Sequence, residues 1–274
     1  MVILMQEDGP MVGGMAEVGG SRVWYEEAGQ GPAVLLLHAG GADSRMWDRQ
    51  WEPLAEAHRV IRFDLPGAGR SPFPEKPFSP DELLEQLLEA LGVERAAVAG
   101  VSLGGGLAID FAIARPERTW GLVVVSGGPR GVTDIAFDPR VTEVWSAAAA
   151  GDLDRAVELF IELWAPLRTA PEVDGQIRRM VEDNIGMLGM VRQGLVVLPE
   201  WSAADRLGEI RVPALVIWGD ADDQGVGQAG ERLAAGIPDA RRVVLPHVDH
   251  FVPMRAPEPF TRQLLAFLEH ARPG

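Results

Sequence analysis

The chain has 274 residues, a hydrophobic fraction of 47%, a formal net charge of −15 and no cysteine. This length is enough for one large α/β domain or two small ones. The strong negative charge disfavours nucleic acids and membrane surfaces as partners, because both present phosphate groups. Without cysteine the chain has no disulfide and no thiolate to serve as nucleophile or metal ligand, which is typical of a cytoplasmic protein.

The N-terminal residues show no secretory signal. Residues 1–5 are apolar, but they lack a basic leader and are followed by the polar residues 6–8. We therefore expect residues 1–13 to form a loose leader. No apolar run approaches the roughly 20 residues that a bilayer-spanning helix needs.

The first predicted elements are two strands at residues 15–18 and 22–27, joined as a hairpin by a pair of glycines. From there, short apolar strands alternate with helical patterns as far as residue 126. The predicted buried strands of this part are residues 33–37, 60–64, 96–99 and 122–125. Their alternation with helices predicts right-handed βαβ units in a parallel sheet.

The alternation stops in residues 132–205, which read as helical, and strands resume at residues 212–218 and 242–245. We predict an α/β protein with a mostly parallel, doubly wound sheet and a helical lid inserted after the sixth strand. Such a lid lies where the carboxyl ends of the strands open. The predicted core comprises residues 14–131 and 206–274, and residues 132–205 are the predicted lid.

One stretch of the sequence predicts a catalytic residue. Residues 100–104 read GVSLG, a G-x-S-x-G motif between an apolar strand and a helical pattern. The backbone on either side of such a turn approaches closely, so Gly100 and Gly104 relieve crowding and leave Ser102 strained and exposed at a helix N-terminus. Free N–H groups and the helix dipole there favour a developing oxyanion. The alternative is a glycine-rich turn with an incidental serine.

Four further landmarks decide between these interpretations. They are residues 38–41 (HAGG), 64–71 (DLPGAGRS), 219–222 (GDAD) and 250–251 (HF). Together with the GVSLG motif they resemble proteins of the α/β-hydrolase fold, in that family's order of Ser, Asp and His. The resemblance covers nearly the whole chain from about residue 20. It is closest to capped serine esterases and lactonases, including those similar to 3-oxoadipate enol-lactonases.

A serine hydroxyl needs a neighbouring base to act as a nucleophile at neutral pH. His250 follows the last predicted strand and is the candidate base for Ser102, with His247 as its rival. The other nitrogen of the base needs an acceptor, and the resemblance selects Asp222 for this role. Asp249 directly precedes the base, and it either faces solvent or raises the pKa of the histidine.

The resemblance gives other polar residues structural roles. His38 ends its strand and holds a loop, and Asp64 organises the loop of residues 67–71. We interpret Asp220 and Asp223 as solvated loop carboxylates.

The resemblance also implies an oxyanion hole made of the backbone N–H groups of Gly40 and Leu103. Ala39 stands where glycine is commoner in the family, which matters only if its φ must be positive. No cluster of His, Asp and Glu shows the spacing of a metal site. No phosphate-binding glycine fingerprint is present either, so we predict no metal and no cofactor.

The predicted lid contributes candidates for an apolar acyl pocket. Trp164 and Met187 are our choices there, with Trp47 just beyond the predicted oxyanion loop, and core packing is the alternative for all three. Arginines of the lid either bind a substrate carboxylate or form solvated helix faces. These arginines are Arg168, Arg178, Arg179 and Arg192.

We predict a serine hydrolase that cleaves a small-molecule carboxylic ester or lactone through an acyl-enzyme, as a monomer or a homodimer. Two alternatives remain open. One is a C–C bond hydrolase that uses the same triad on a ketone or dione. The other is a ligand-binding receptor on the same fold with slow turnover, which turnover of a simple activated ester would exclude.

Overall fold

The computed structural model describes residues 2–6 and 9–272, with side chains from residue 12 onward. The strands of this part of the chain form one mixed sheet. They are β1 (Val2–Gln6), β2 (Gly9–Val18), β3 (Ser21–Ala28), β4 (Ala33–Leu37), β5 (Arg59–Phe63), β6 (Ala96–Val101), β7 (Thr119–Val125), β8 (Ala214–Gly219) and β9 (Ala240–Leu245).

Across the sheet the strand order is β1-β2-β3-β5-β4-β6-β7-β8-β9. β1, β2 and β3 run antiparallel to their neighbours, whereas each pairing from β5 to β9 is parallel. β6 lies between β4 and β7, and all of its residues are buried. The mostly parallel sheet that the sequence predicts is therefore confirmed, with the strand that precedes the G-x-S-x-G turn near its middle.

The N-terminal segment differs from the sequence prediction. Val2–Gln6 and Gly9–Val18 are paired strands, whereas the sequence predicts a loose leader over residues 1–13. The hairpin of β2 and β3 forms as predicted, and its long β2 offers a free edge with which β1 pairs. Residues 1, 7 and 8 of this segment lie outside the described residues.

The α-helices of the described chain are α1 (Asp48–Ala55), α2 (Pro80–Ala90), α3 (Leu103–Ala114), α4 (Arg140–Ala150), α5 (Leu153–Trp164), α6 (Pro171–Asn184), α7 (Gln224–Gly236), α8 (Val252–Arg255) and α9 (Pro257–Ala271). Short 3-10 helices span Ser44–Trp47, Pro116–Arg118, Ile185–Met190, Ala203–Asp205 and Leu207–Glu209. No helix in these ranges is both long and apolar enough to cross a membrane.

Helices cover both faces of the sheet. On β7, the Cβ position of Gly121 lies 3.6 Å from Phe267 of α9, whereas Val124 lies 3.1 Å from the Cβ position of Gly105 in α3. Residues an odd number apart on a strand point to opposite faces. α1 packs against α9, and α2 packs against α3. The sheet is therefore doubly wound, as predicted.

The helical lid lies between β7 and β8 and comprises α4, α5, α6 and the 3-10 helix Ile185–Met190. Its side chains reach the loop that follows β4: Phe160 lies 3.1 Å from the Cβ position of Gly41, and Leu188 lies 2.8 Å from that of Gly40. The lid thus covers the carboxyl end of the parallel strands. The lid follows β7, which corresponds to the sixth predicted strand, because β1 is not among the predicted strands.

The turn between β6 and α3 requires glycine at two positions. A Cβ atom at Gly100 would lie 2.1 Å from the carbonyl oxygen of Gly104, and one at Gly104 would lie 2.5 Å from the carbonyl oxygen of His38. Both obstacles are backbone atoms and cannot rotate away. The close approach that the sequence motif predicts is therefore present.

This packing predicts opposite effects for alanine at two glycines six residues apart. Gly100→Ala should lower the free energy of unfolding by at least about 3 kcal/mol, because the new methyl group overlaps backbone. Gly106→Ala should raise it by about 0.5–1 kcal/mol, because alanine favours the helix and only the Gly128 carbonyl oxygen lies near, at 3.5 Å. Urea unfolding of both variants checks this, and equal effects would contradict the account of the turn.

Candidate active site

Ser102 lies in the turn between β6 and α3 in a strained backbone conformation. Its φ of 52° and ψ of −112° belong to a region that residues with a side chain rarely adopt, at a cost of about 1–3 kcal/mol. Two hydrogen bonds hold it there. The Ser102 N–H donates to the Val125 carbonyl at 2.8 Å, and the Gly106 N–H donates to the Ser102 carbonyl at 3.0 Å. The strain places the hydroxyl-bearing residue at the N-terminus of α3.

His250 and Asp222 meet from two different loops, one after β9 and one after β8. The Nδ1 atom of His250 lies 2.8 Å from Oδ2 and 3.0 Å from Oδ1 of Asp222. Both side chains are buried, with 4% and 1% of their surface exposed. An ionised carboxylate only accepts hydrogen bonds, so the contact assigns the proton of the neutral imidazole to Nδ1. The Nε2 atom is then free to accept a proton.

Ser102 and His250 line the same cavity. In the described part of the chain they are not joined by a direct hydrogen bond, and such contacts are often long before substrate binds.

The rival residues have other partners. His247 is exposed, and its backbone N–H donates to Asp220 at 2.6 Å. Asp223 caps α7, because its Oδ1 atom accepts the N–H of Gly225 at 2.9 Å. Among the candidates for base and acid, the structure brings together His250 and Asp222.

Asp249 is fully buried, which excludes the interpretation that it faces solvent. Its carboxylate accepts a hydrogen bond from Nε of Arg255 at 3.2 Å. It also accepts hydrogen bonds from the backbone N–H groups of Phe251 at 3.2 Å and Leu167 at 3.4 Å. Burial raises the pKa of the Asp249 carboxyl, and Arg255 partly opposes this effect. Since Leu167 belongs to the lid, the residue before the candidate base is bonded to the lid.

Two residues that line the cavity with Ser102 have backbone N–H groups without a protein partner among the described residues. They are Gly40, in the loop after β4, and Leu103, the first residue of α3. Free N–H groups at a helix N-terminus carry partial positive charge and can bind an oxyanion. The φ of Ala39 is not positive, so alanine replaces glycine there without strain.

His38 and Asp64 hold loops together, as the resemblance implies. The Nε2 atom of His38 accepts the N–H of Leu65 at 2.9 Å, and its Nδ1 atom donates to the Ala39 carbonyl at 2.8 Å. The carboxylate of Asp64 accepts the N–H groups of Ser44 and Arg70, both at 2.9 Å. These bonds join the loop after β4 to the loop after β5.

The cavity beside Ser102 has a volume of about 250 Å³ and is lined mostly by apolar groups. The sheet domain contributes Gly40, Ser102, Leu103, Ser126, Gly127, Gly128, Pro129, Val226, Ala229 and His250, and the lid contributes Phe137, Val141, Trp145, Phe160, Trp164 and Leu188. The indole of Trp164 packs against the candidate base, with ring centroids 5.8 Å apart.

Of the three predicted substrate-binding residues, only Trp164 lines this cavity. Trp47 is fully buried and packs on Phe260 of α9 with ring centroids 6.1 Å apart, so its predicted place in the pocket is wrong. Met187 lines a neighbouring cavity of about 50 Å³ instead. The lid packs at a rotation that puts Leu188, the next residue, against the Ser102 cavity.

Ser126 is a site residue that the sequence analysis missed. It follows β7, has a φ of 46° and borders the same cavity as Ser102. Its Oγ atom is buried and has no hydrogen-bond partner among the described residues. The available signal is its position: it is the first polar residue after the buried strand next to β6.

A family model described as the alpha/beta hydrolase fold matches residues 32–257, which include Ser102, Asp222 and His250. The chain belongs to the α/β-hydrolase family. Its relatives include a 2-hydroxy-6-oxononadienedioate/2-hydroxy-6-oxononatrienedioate hydrolase of Paraburkholderia xenovorans (strain LB400). That protein is 32% identical over 90% of this chain and 90% of its own length. The chain is thus a hydrolase of this family.

Solved structures of the same fold include two hydrolases. A thermophilic esterase from Thermogutta terrifontis is 26% identical, with a TM-score of 0.82 over 95% of this chain and all of that one. The enol-lactonase from Burkholderia xenovorans LB400 is 24% identical, with a TM-score of 0.81 over 93% of this chain and all of that one. At this identity the enol-lactonase supports the fold of the α/β-hydrolase but not its substrate.

The contacts of this α/β-hydrolase predict different effects at two adjacent aspartates. Asp222→Asn should reduce kcat by about 10⁴-fold, because an amide no longer fixes the imidazole tautomer. Asp223→Asn should retain activity within about threefold, because asparagine also caps a helix. Steady-state kinetics on an activated ester check both variants. The reverse result would assign the role of carboxylate partner of His250 to Asp223.

Proposed function

We propose that this hydrolase cleaves neutral carboxylic esters or lactones, with Ser102 as nucleophile, His250 as general base and Asp222 as its acid partner. The Oγ atom of Ser102 attacks the carbonyl carbon while its proton passes to Nε2 of His250. The carbonyl oxygen becomes an oxyanion, and the N–H groups of Gly40 and Leu103 are free to bind it.

His250 then returns the proton to the leaving group, and the same histidine serves the hydrolysis of the acyl-enzyme. The tetrahedral intermediate expels the alkoxide, which takes the proton from His250 and leaves an acyl group on Ser102. Water then attacks the acyl carbonyl and gives a proton to His250, and the acid is released as Ser102 recovers its proton. In a lactone the alkoxide remains attached to the acyl chain, so a single hydroxy acid is the product.

The lining of the cavity carries this proposal. The side chains around Ser102 and His250 are aromatic, aliphatic or small, and no cationic side chain of the described residues is among them. A carboxylate buried there without a partner would cost several kcal/mol. These features together support an uncharged substrate with an apolar acyl or alcohol group.

The arginines of the lid do not line the cavity. Arg178 is paired with Glu158 at 2.7 Å, and Arg168 donates to the Ala165 carbonyl at 2.5 Å. Arg179 and Arg192 are exposed. These placements favour the interpretation of the arginines as helix-face residues over a role in binding a substrate carboxylate.

C–C bond hydrolysis is the second candidate function. The relative with 32% identity is named as a hydrolase of a dienedioate, and the same triad would serve such a ketone. A dienedioate is a dicarboxylate, however, and the described residues that line the cavity offer such a substrate no cation. The lining therefore favours the ester or lactone.

Hydrolysis of p-nitrophenyl esters from acetate to octanoate tests the reaction class. We expect an optimum at a short or medium acyl chain, because the cavity of about 250 Å³ is below the roughly 300–1,000 Å³ of drug-sized sites. Ser102→Ala should keep its melting temperature and lose at least about a thousandfold in turnover. Cleavage of a dione but of no ester, by a folded sample, would replace the proposal with the C–C hydrolase. Cleavage of neither would favour the receptor.

A matched pair of esters tests the charge preference. p-Nitrophenyl hexanoate and mono-p-nitrophenyl glutarate have acyl groups of similar size, but only the glutarate carries a carboxylate. We expect kcat/KM for the hexanoate to be at least about a hundredfold higher, since the carboxylate would be desolvated without a partner. The hydrolysis rate in buffer corrects for intrinsic reactivity. Equal or faster cleavage of the glutarate ester would contradict the proposed substrate class.

A further inference from the structure

Helix α6 of the lid is linked to both of the loops on which the proposed chemistry depends, to one directly and to the other through Arg255 of α8. We call residues 38–43 the oxyanion loop, because they include Gly40, and residues 246–251 the histidine loop, because they include His250. α6 has 14 residues, so its length is about 21 Å. The C-terminal end of this helix is linked to the oxyanion loop, and its N-terminal end is linked to the histidine loop.

The C-terminal end of α6 is bonded to the oxyanion loop through Asn184, which is 1% exposed. The Nδ2 atom of Asn184 donates to Asp43 at 2.7 Å and to the Met180 carbonyl at 2.7 Å, and its Oδ1 atom accepts the N–H of Gly69 at 2.6 Å. The single amide group therefore joins the helix, the oxyanion loop and the loop after β5.

An ion-pair network surrounds this contact. Arg45 binds Asp43 at 2.6 Å and also binds Asp183 of α6 at 2.7 Å. Burial raises the pKa of Asp43, but the bonds from Arg45 and Asn184 outweigh burial and the net pKa is lowered. Asp43 is thus ionised at neutral pH and accepts the bond from Asn184 as a carboxylate.

The N-terminal end of α6 is bonded to the histidine loop through Arg255, whose side chain is 3% exposed. Its Nη1 atom donates to Asp174 of α6, its Nη2 atom to the Leu167 carbonyl at 2.9 Å, and its Nε atom to Asp249 at 3.2 Å. Asp249 in turn accepts the N–H of Phe251. The residues on both sides of His250 are therefore connected to the lid helix.

We propose that Asn184 and Arg255 are positioning residues, through which α6 fixes the oxyanion loop relative to the histidine loop. The roles given to these two loops rest on the proposed function. A displacement of about 1 Å between a base and an oxyanion donor can cost about a hundredfold in rate. A rigid helix bonded at both ends limits this displacement more effectively than two separate loops could.

A fluorophosphonate probe tests the positioning role without needing the natural substrate. Ser102 attacks phosphorus, a P–O bond forms, the P–F bond breaks, fluoride leaves and His250 takes the serine proton. The phosphoryl oxygen would sit against the oxyanion loop, so the labelling rate reports on both loops. The labelling rate is measured together with kcat and KM for p-nitrophenyl butyrate and with the melting temperature of each protein.

We compare Asn184→Ala and Asp174→Asn, at the two ends of α6, with Arg179→Ala, an exposed residue of the same helix. The first two should lower kcat and the labelling rate by roughly ten- to a hundredfold with KM changed less than about threefold, because the loops act mainly on the transition state. Arg179→Ala should match the parent in all of these values.

A parental labelling rate and kcat in Asn184→Ala and Asp174→Asn, with only the melting temperature lowered, would overturn the positioning role. If Asn184→Ala does not fold, Asp174→Asn, which preserves size and is 17% exposed, decides the outcome with the same readouts. A parent that is labelled but hydrolyses no ester would contradict the proposed function alone, and the labelling rates of the variants would still decide the positioning role.

Discussion

The site depends on how closely three backbone segments approach one another at the carboxyl ends of β4 and β6. Gly104 lies against the carbonyl of His38, and Gly100 lies against the carbonyl of Gly104. No side chain fits between these segments, so the chain turns sharply and Ser102 takes a positive φ. The cost of that strain, about 1–3 kcal/mol, is offset by the buried strands and helix around it. The nucleophile position is therefore fixed by packing.

Sheet topology brings the remaining groups to the same edge. β6, β7 and β8 are parallel neighbours, so the residues that follow them end close together. Ser102, Ser126 and the loop of Asp222 follow these three strands in order. β9 then brings His250 back to the carboxylate of Asp222 at 2.8 Å. The ends of β6, β8 and β9 thus supply the three side chains of the proposed chemistry.

The main architecture and the candidate triad could be predicted from the sequence, because both rest on short local patterns. Apolar runs define the strands, and G-x-S-x-G, GDAD and the late histidine each occupy one strand end. The lining of the cavity could not be predicted in the same way. Trp47 packs on Phe260, more than 200 residues away, and no local pattern shows that contact.

The same limit applies to the lid. Which face of a helix meets the core depends on its rotation, and the difference between Met187 and Leu188 is a single step along a 3-10 helix. The bonds of Asn184 to Asp43 and Gly69, and of Arg255 to Asp174 and Leu167, join residues more than 80 positions apart. The sequence marks these residues only as polar side chains. The structure shows that they connect the lid to both loops of the site.

The most direct test of Ser102 as the nucleophile is to trap the acyl group on the enzyme. The protein is mixed with excess p-nitrophenyl butyrate, quenched in acid during the first turnovers, digested and examined by mass spectrometry, with Ser102→Ala treated in parallel. If Ser102 is the nucleophile, a butyryl adduct forms on the peptide that contains Ser102 and none forms in the variant. Ester turnover that persists in Ser102→Ala, or an adduct on another residue, would contradict this assignment.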